Sequence, residues 1–257
     1  MFDHVTIRVT SRAASEAFYE TVLRTLELEA TYTGDEFAEW DDFSLSPATG
    51  SRPATRRLHV GFVAPSRAHV DEFWRLGRAR GYEDAGPPGE RPHYKPDYYG
   101  AFLRDPDGNS VEALHHGSLR SGGVIDHLWL RAADIAAARR FYEVVAPCAG
   151  LLLRDVSPEH VQLVGSSGSF SIVAGRPTRN LHMAFPAATN AVVDEFHRAV
   201  TSGGYRDDGA PGERPAYHPG YYAAFVLDPE GNSVELVNHD RRRAASAVSH
   251  NVTPVCH

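Results

Sequence analysis

The chain has 257 residues, of which 42% are hydrophobic and 23% charged, with a formal net charge of −7. That is the balance of a globular protein with a real core, neither disordered nor membrane-embedded. An acidic balance argues against nucleic acid or an anionic membrane as partner, because both need a concentrated basic face. Two unrelated cysteines, Cys148 and Cys256, leave no disulfide framework, and with no run of transmembrane length and no room for a signal peptide before Phe2 they fit a cytoplasmic protein.

Self-comparison is the most informative operation. His4 and His127, Phe18 and Phe141, His59 and His182, and Glu112 and Glu235 are all separated by the same 123 residues. F-Y-E, V-D-E-F and P-G-E-R-P each occur twice. The expected organisation is a first domain over residues 1–119, a second over 120–240 and a flexible tail over 241–257, with a Ser/Gly-rich linker at 117–123.

Each half reads strand, helix, strands, then strand, helix, strands. Val5, Ile7 and Val9 alternate with His4, Thr6 and Arg8, the pattern of a half-buried first strand. Ser11 or Asp134 caps the helix that follows, with Phe18, Val22 and Leu26 on one face, and Pro147 stops the second copy. Strands near 37–40 and 43–46 precede L-H-V-G-F at 58–62, and a second helix runs from Ser66, or Thr189, to Gly81 in the first copy. A Pro-rich loop, G-E-R-P-H-Y-K-P-D-Y-Y, leads into the closing hairpin. That hairpin is A-F-L-R-D-P-D-G-N-S-V-E-A-L at 101–114 and A-F-V-L-D-P-E-G-N-S-V-E-L-V at 224–237, with Pro and Gly setting the turn.

On alternating strands His4, His59 and Glu112, and likewise His127, His182 and Glu235, point away from their apolar rows. A lone strand histidine opposite such a row is ordinarily a half-exposed polar residue. Retention of three ligand-type residues at the same three places in both drifted copies argues for more. Two imidazoles and a carboxylate on a rigid sheet form a facial triad with open positions, suited to Fe2+ or Mn2+, with Zn2+, Ni2+ and Co2+ as alternatives.

The strand-helix-three-strand plan, F-Y-x-x-V/L on the first helix and D-P-D/E-G-N-x-V-E at the end resemble the vicinal oxygen chelate superfamily over residues 2–239. This group holds glyoxalase I, extradiol dioxygenases, fosfomycin-modifying transferases and bleomycin-binding resistance proteins. The resemblance implies an α+β fold of two tandem domains, each built of paired βαβββ units forming an open, U-shaped mixed β-barrel. It also implies metal ligation by His4, His59, Glu112, His127, His182 and Glu235, and sites shared across copies in some relatives. Whether His4 and Glu112 act with His59 or with His182 is left open by the residues.

Departures narrow the activity. Where glyoxalase I adds a fourth ligand, this chain has Ser44 and Ser46, or Ser171 and Val173, which disfavours that reaction. The extradiol pattern survives as His218, Phe225, D-P-E-G and Glu235, but Phe225 and Phe102 replace its tyrosine. Substrate activation then needs another donor, such as Tyr99 or Tyr222, each one of a tandem pair whose bland role is packing. Arg8 and Arg131 share a face with the first histidines and could grip a carboxylate, phosphonate or phenolate. His218 has Lys95 as its counterpart, and Trp129 has Thr6, so the two cavities are expected to differ. The expected function is a metal-dependent, dioxygenase-like enzyme acting on a small oxygenated molecule, as a two-domain monomer or a homodimer. The rivals are metal-free drug sequestration, and one catalytic domain beside a structural copy.

Overall fold

A computed structural model describes residues 1–119, 122–166 and 168–239; the tail expected at 241–257, with Cys256 and the Arg241–Arg243 cluster, lies outside the described residues. Four βαβββ units follow one another. The first is β1 (His4–Val9), α1 (Arg12–Arg24), β2 (Tyr32–Thr33), β3 (Ala38–Trp40) and β4 (Phe43–Pro47). The second is β5 (His59–Val63), α2 (Arg67–Ala79), β6 (Asp84–Glu90), β7 (Tyr99–Arg104) and β8 (Ser110–His115). The third is β9 (Ile125–Ala132), α3 (Ile135–Cys148), β10 (Leu152–Ser157), β11 (His160–Gly165) and β12 (Gly168–Ala174). The fourth is β13 (His182–Pro186), α4 (Asn190–Ser202), β14 (Arg206–Glu213), β15 (Tyr221–Leu227) and β16 (Ser233–His239).

The units do not pair with their sequence neighbours of the same repeat. The first joins the fourth in an eight-stranded mixed sheet, β14-β15-β16-β13-β1-β4-β3-β2, and the second joins the third in β10-β11-β12-β9-β5-β8-β7-β6. Neither sheet closes, so each is an open, U-shaped barrel, the α+β architecture expected from the resemblance. Each barrel takes half its strands from each sequence repeat, and position 119/120 falls between two units of one sheet.

Alternation decides which face does what. Val5, Ile7 and Val9 are fully buried against α1, while His4, Thr6 and Arg8 lie on the other face. The apolar faces of the two sheets share one core, where Phe43 meets Phe62 at 5.0 Å between ring centroids and Phe170 meets Phe185 at 5.9 Å. The faces that carry His4, His182 and Glu235, and His59, Glu112 and His127, are therefore turned away from that core. Among the described residues no helix is long and apolar enough to cross a membrane.

Local expectations hold with adjustments. Ser11, Asp134 and Thr189 accept from backbone N–H groups three residues on, but Ser66 makes no such bond and its hydroxyl meets His69 Nδ1 at 2.8 Å. Pro147 does not stop α3, which carries it inside the last turn and runs to Cys148, ending before Gly150 at φ +65°. Part of the segment expected as a Pro-rich loop is strand: β6 and β14 lie at sheet edges and shift register twice each. An edge is where a proline's missing N–H costs no ladder bond.

Candidate metal centres

Strand register builds both sites. His4 stands opposite Ala184 across the antiparallel β1–β13 pair, and Ala184 lies beside Glu235 in the parallel β13–β16 pair. The small residue lets its two neighbours meet over it, and His182 joins them from two positions upstream. His4 Nε2 lies 3.1 Å from His182 Nε2 and 3.6 Å from Glu235 Oε2, while His182 Nε2 is 3.0 Å from Glu235 Oε2. In the other sheet Gly61 separates His127 from Glu112. There His59 Nε2 is 3.0 Å from both His127 Nε2 and Glu112 Oε2, and His127 Nε2 is 3.4 Å from Glu112 Oε2. A Cβ on Gly61 would fall 2.5 Å from the His127 ring, so the glycine is what admits the imidazole.

Neither grouping weighed from the sequence, His4 and Glu112 with His59 or with His182, is the one built: the side chains group as His4, His182 and Glu235, and as His59, Glu112 and His127, because β1 pairs with β13 and β5 with β9, so each triad draws on both repeats. Each group could hold one metal ion. Donors ~2.1 Å from an ion and at right angles to one another stand ~3 Å apart, and these separations fit that spacing. The outer carboxylate oxygens are satisfied separately: Tyr98 donates to Glu112 Oε1 at 2.8 Å and Tyr221 to Glu235 Oε1 at 2.7 Å. Oε2 is left facing the imidazoles.

Charge is arranged to match. Burial opposes ionisation of Glu112, but the bonds from His127 and His59 prevail and bring its pKa down to about 2. Burial likewise opposes charge on His127, while Asp126 and Glu112 outweigh it and lift its pKa to about 9. His4 is raised by Asp3 and Glu235 against the same burial, whereas burial lowers His59 and His182. Each triad thus pairs one readily protonated imidazole with one held neutral.

The remaining expected site residues fare unevenly. Arg8 and Arg131 are on the triad faces, and their charges add to burial in lowering His182 and His59. Arg8 Nη1 also donates to the Asn180 carbonyl at 3.2 Å. Tyr99 and Tyr222 are not at the triads: their hydroxyls donate to Asp71 on α2 and Asp194 on α4, each at 2.7 Å, because their strand positions face the helices. Tyr98 and Tyr221 are the members of each pair that reach the carboxylates. His218 also stands back, with Nε2 2.8 Å from His239 Nδ1. Phe102 and Phe225, which replace the extradiol tyrosine, do face the sites, with rings 6.0 and 6.1 Å from those of His59 and His182.

Two features were missed in the sequence. Arg91 and Arg214 place their guanidinium groups 5.7 and 5.5 Å over Phe102 and Phe225, the rings that face the histidines; the twice-written P-G-E-R-P was the signal. Glu39 lies in a cross-strand row with Ser44, Thr6 and His182, where the other sheet has Gln162, Ser171, Trp129 and His59. Burial raises the Glu39 pKa. The first cup is therefore hydroxylic, with Thr6 and Ser44 oxygens 2.8 Å apart. The second is aromatic, with Trp129 5.3 Å from His160 and 6.2 Å from Tyr94.

Residues 1–113 match the model of the Glyoxalase/Bleomycin resistance protein/Dioxygenase superfamily. No curated protein matches in sequence. Among solved structures, glyoxalase I from Zea mays is similar at 18% identity and a TM-score of 0.67, covering 97% of this chain and 96% of that one. A putative dioxygenase from Bacillus subtilis is similar at 14% identity and a TM-score of 0.62, covering 93% and 85%. At such identities the likeness is one of fold. Residues 1–113 thus match that superfamily's model, and the described chain shares its fold with these two solved structures.

Proposed function

We propose that the protein is a metal-dependent enzyme that binds a small oxygenated organic anion at a divalent ion held by His4, His182 and Glu235, or by His59, Glu112 and His127. The observation that carries this reading is the convergence of three donor atoms in each cup at 3.0–3.6 Å. A bound ion would supply Lewis acidity and a template for adjacent substrate oxygens. Three protein donors leave positions for both substrate and dioxygen, which favours Fe2+ or Mn2+ and a dioxygenase, with Zn2+, Ni2+ or Co2+ as alternatives. Insertion of both oxygen atoms into the substrate balances without a further reductant.

The chain's own residues then divide the work. Arg8 with Arg214, and Arg131 with Arg91, give each cup two cations to orient a carboxylate or phenolate. Tyr98 and Tyr221 hold the ligand carboxylates, and Phe102 and Phe225 cover the imidazoles against water. Glu39, with its raised pKa, is the group on the first cup's wall that can take a proton from substrate. Gln162 cannot. This difference favours a division in which the His4 site is catalytic and the His59 site binds without proton transfer.

Anaerobic purification, reconstitution with Fe2+ or Mn2+ and elemental analysis test the reading. It predicts about two equivalents of metal per chain, and less than about a tenth of one would overturn it. Ring-cleavage assays on a panel of catechols bearing carboxylates then test the reaction class. Nanomolar binding of an antibiotic, unaffected by His127→Ala, would instead favour sequestration.

A further inference from the structure

Behind each triad stands a second layer of side chains, built from matching positions in the two cups and, in the first, from opposite ends of the described chain. His4 turns its Nδ1 to Asp3 Oδ1 at 2.9 Å, and Asp3 Oδ2 lies 2.8 Å from His239 Nε2. His239 Nδ1 is 2.8 Å from His218 Nε2, and His218 Nδ1 is 2.9 Å from the Pro219 carbonyl. In the other cup His127 Nδ1 lies 3.0 Å from Asp126 Oδ2, and Asp126 Oδ1 is 3.6 Å from His116 Nε2. Lys95 Nζ is 3.4 Å from that same nitrogen. Asp3 matches Asp126, His239 matches His116 and His218 matches Lys95, all at the repeat spacing of 123. The pattern is written twice.

The chemistry of imidazole gives this layer a task. A neutral ring carries one N–H, and the group facing one nitrogen decides which nitrogen bears it. A carboxylate can only accept, so Asp3 fixes the His4 proton on Nδ1 and leaves a lone pair on Nε2, the atom turned to His182 and Glu235. His239 in turn occupies the second Asp3 oxygen at 2.8 Å, and His116 stands as an ion-pair partner 3.6 Å from the second Asp126 oxygen. That stops either aspartate from rotating away from its ligand histidine.

We infer that Asp3 with His239, and Asp126 with His116, are positioning residues that hold His4 and His127 in the tautomer with a bare Nε2 and so set each triad's affinity for its ion. His218 and Lys95 are the loop ends of the two chains. The inference rests on the metal-binding reading for its consequence, but the tautomer can be measured without metal.

Asp3→Asn leaves one acceptor where two are used, at nearly the same volume. Titration of the folded protein with Mn2+ alone should show one of two ions bound roughly 10–100-fold more weakly in Asp3→Asn, and the other ion so weakened in Asp126→Asn. His239→Phe should weaken the same ion as Asp3→Asn. In the metal-free protein at alkaline pH, where the ring is neutral, long-range 1H–15N correlation should place the His4 proton on Nδ1, and Asp3→Asn should move a share of it to Nε2. An Asp3→Asn protein that folds as judged by circular dichroism, keeps its Mn2+ affinity within about twofold and retains the His4 tautomer overturns the inference. If the unaltered protein takes up no Mn2+, the metal reading falls, and the tautomer measurement alone decides whether Asp3 positions His4.

Discussion

Tyr98 and Tyr99 are adjacent, yet one hydroxyl donates to a triad carboxylate and the other to an aspartate on a helix. Tyr98 is 6% exposed and donates to the buried Glu112 Oε1, whereas the Tyr99 bond to Asp71 is at the surface. Tyr98→Phe leaves a buried carboxylate oxygen unsatisfied and should cost about 1–3 kcal/mol. Tyr99→Phe should cost under about 0.5 kcal/mol. Urea midpoints of the two variants check this, and equal losses would contradict the assignment. The sequence presented the tyrosines as a pair but not which one faced the site. Strand parity alternates every residue, and the phase is set by pairing with β8, which no local signal encodes. Gly61 carries a related lesson: its counterpart Ala184 tolerates a Cβ beside His4, while a Cβ at Gly61 would strike His127. Gly61→Ala should therefore weaken metal binding in the His127 cup and leave the His4 cup unchanged, as separate Mn2+ titration phases would show.

Among the elements, the D-P-x-G-N turn was the most legible, and its role turns out to be structural. Asp105 accepts from the backbone N–H of Asp107 and Asn109, from the Asn109 side chain and from the Tyr19 hydroxyl. Asn109 in turn accepts from Leu58 N–H, fixing the start of β5 one residue before His59. Gly108 at φ +82° closes the turn. Asp228 repeats this with Asn232, Glu230 and Tyr142. The F-Y motif and the turn motif are thus two ends of one contact, joining α1 of one barrel to the hairpin of the other. Asp105→Ala strands several buried donors and should cost roughly 3 kcal/mol in denaturant unfolding; a loss below about 1 kcal/mol would mean the turn holds without its carboxylate. Helices α1 and α3 were read from their caps and apolar spacing. The edge strands β6 and β14 were not, because Pro and Gly mask strand propensity and only the neighbouring ladder makes them extended.

At the scale of the molecule, the repeat written in the sequence and the barrel built in space are different units. Repetition fixes that units one and three, or two and four, are alike. It carries no information on which unlike units pair, since either choice buries the same apolar faces. The chosen pairing, first with fourth and second with third, gives both triads their cross-repeat composition. It also couples stability to pH. With a folded pKa of about 9 against an ordinary 6.5, the stabilisation from His127 is complete below 6.5 and lost as pH rises through 9. Glu112, at about 2 against 4.5, contributes stability present above 4.5 and lost as pH falls through 2. His59 and His182, lowered by burial, add loss on the acid side as the unfolded chain takes up protons below 6.5. The metal-free protein should accordingly unfold most reluctantly near pH 6.5, as thermal melts across pH would show. An ion entering the second triad must displace the His127 proton, so at pH 7 about one proton should be released there per ion bound, and apparent affinity should rise toward pH 9. Calorimetry in buffers of different ionisation enthalpy counts that proton; none released would contradict the protonated His127.

Metal content of two double variants, each checked for folding and reconstituted with Mn2+, tests the cross-repeat triads most directly. His4→Ala with His182→Ala removes two donors from one cup, and about one equivalent should remain; His4→Ala with His59→Ala damages both cups and should leave less than about a tenth. The reverse pattern, with the ion surviving loss of His4 and His59 together, would contradict the cross-repeat assembly of the sites.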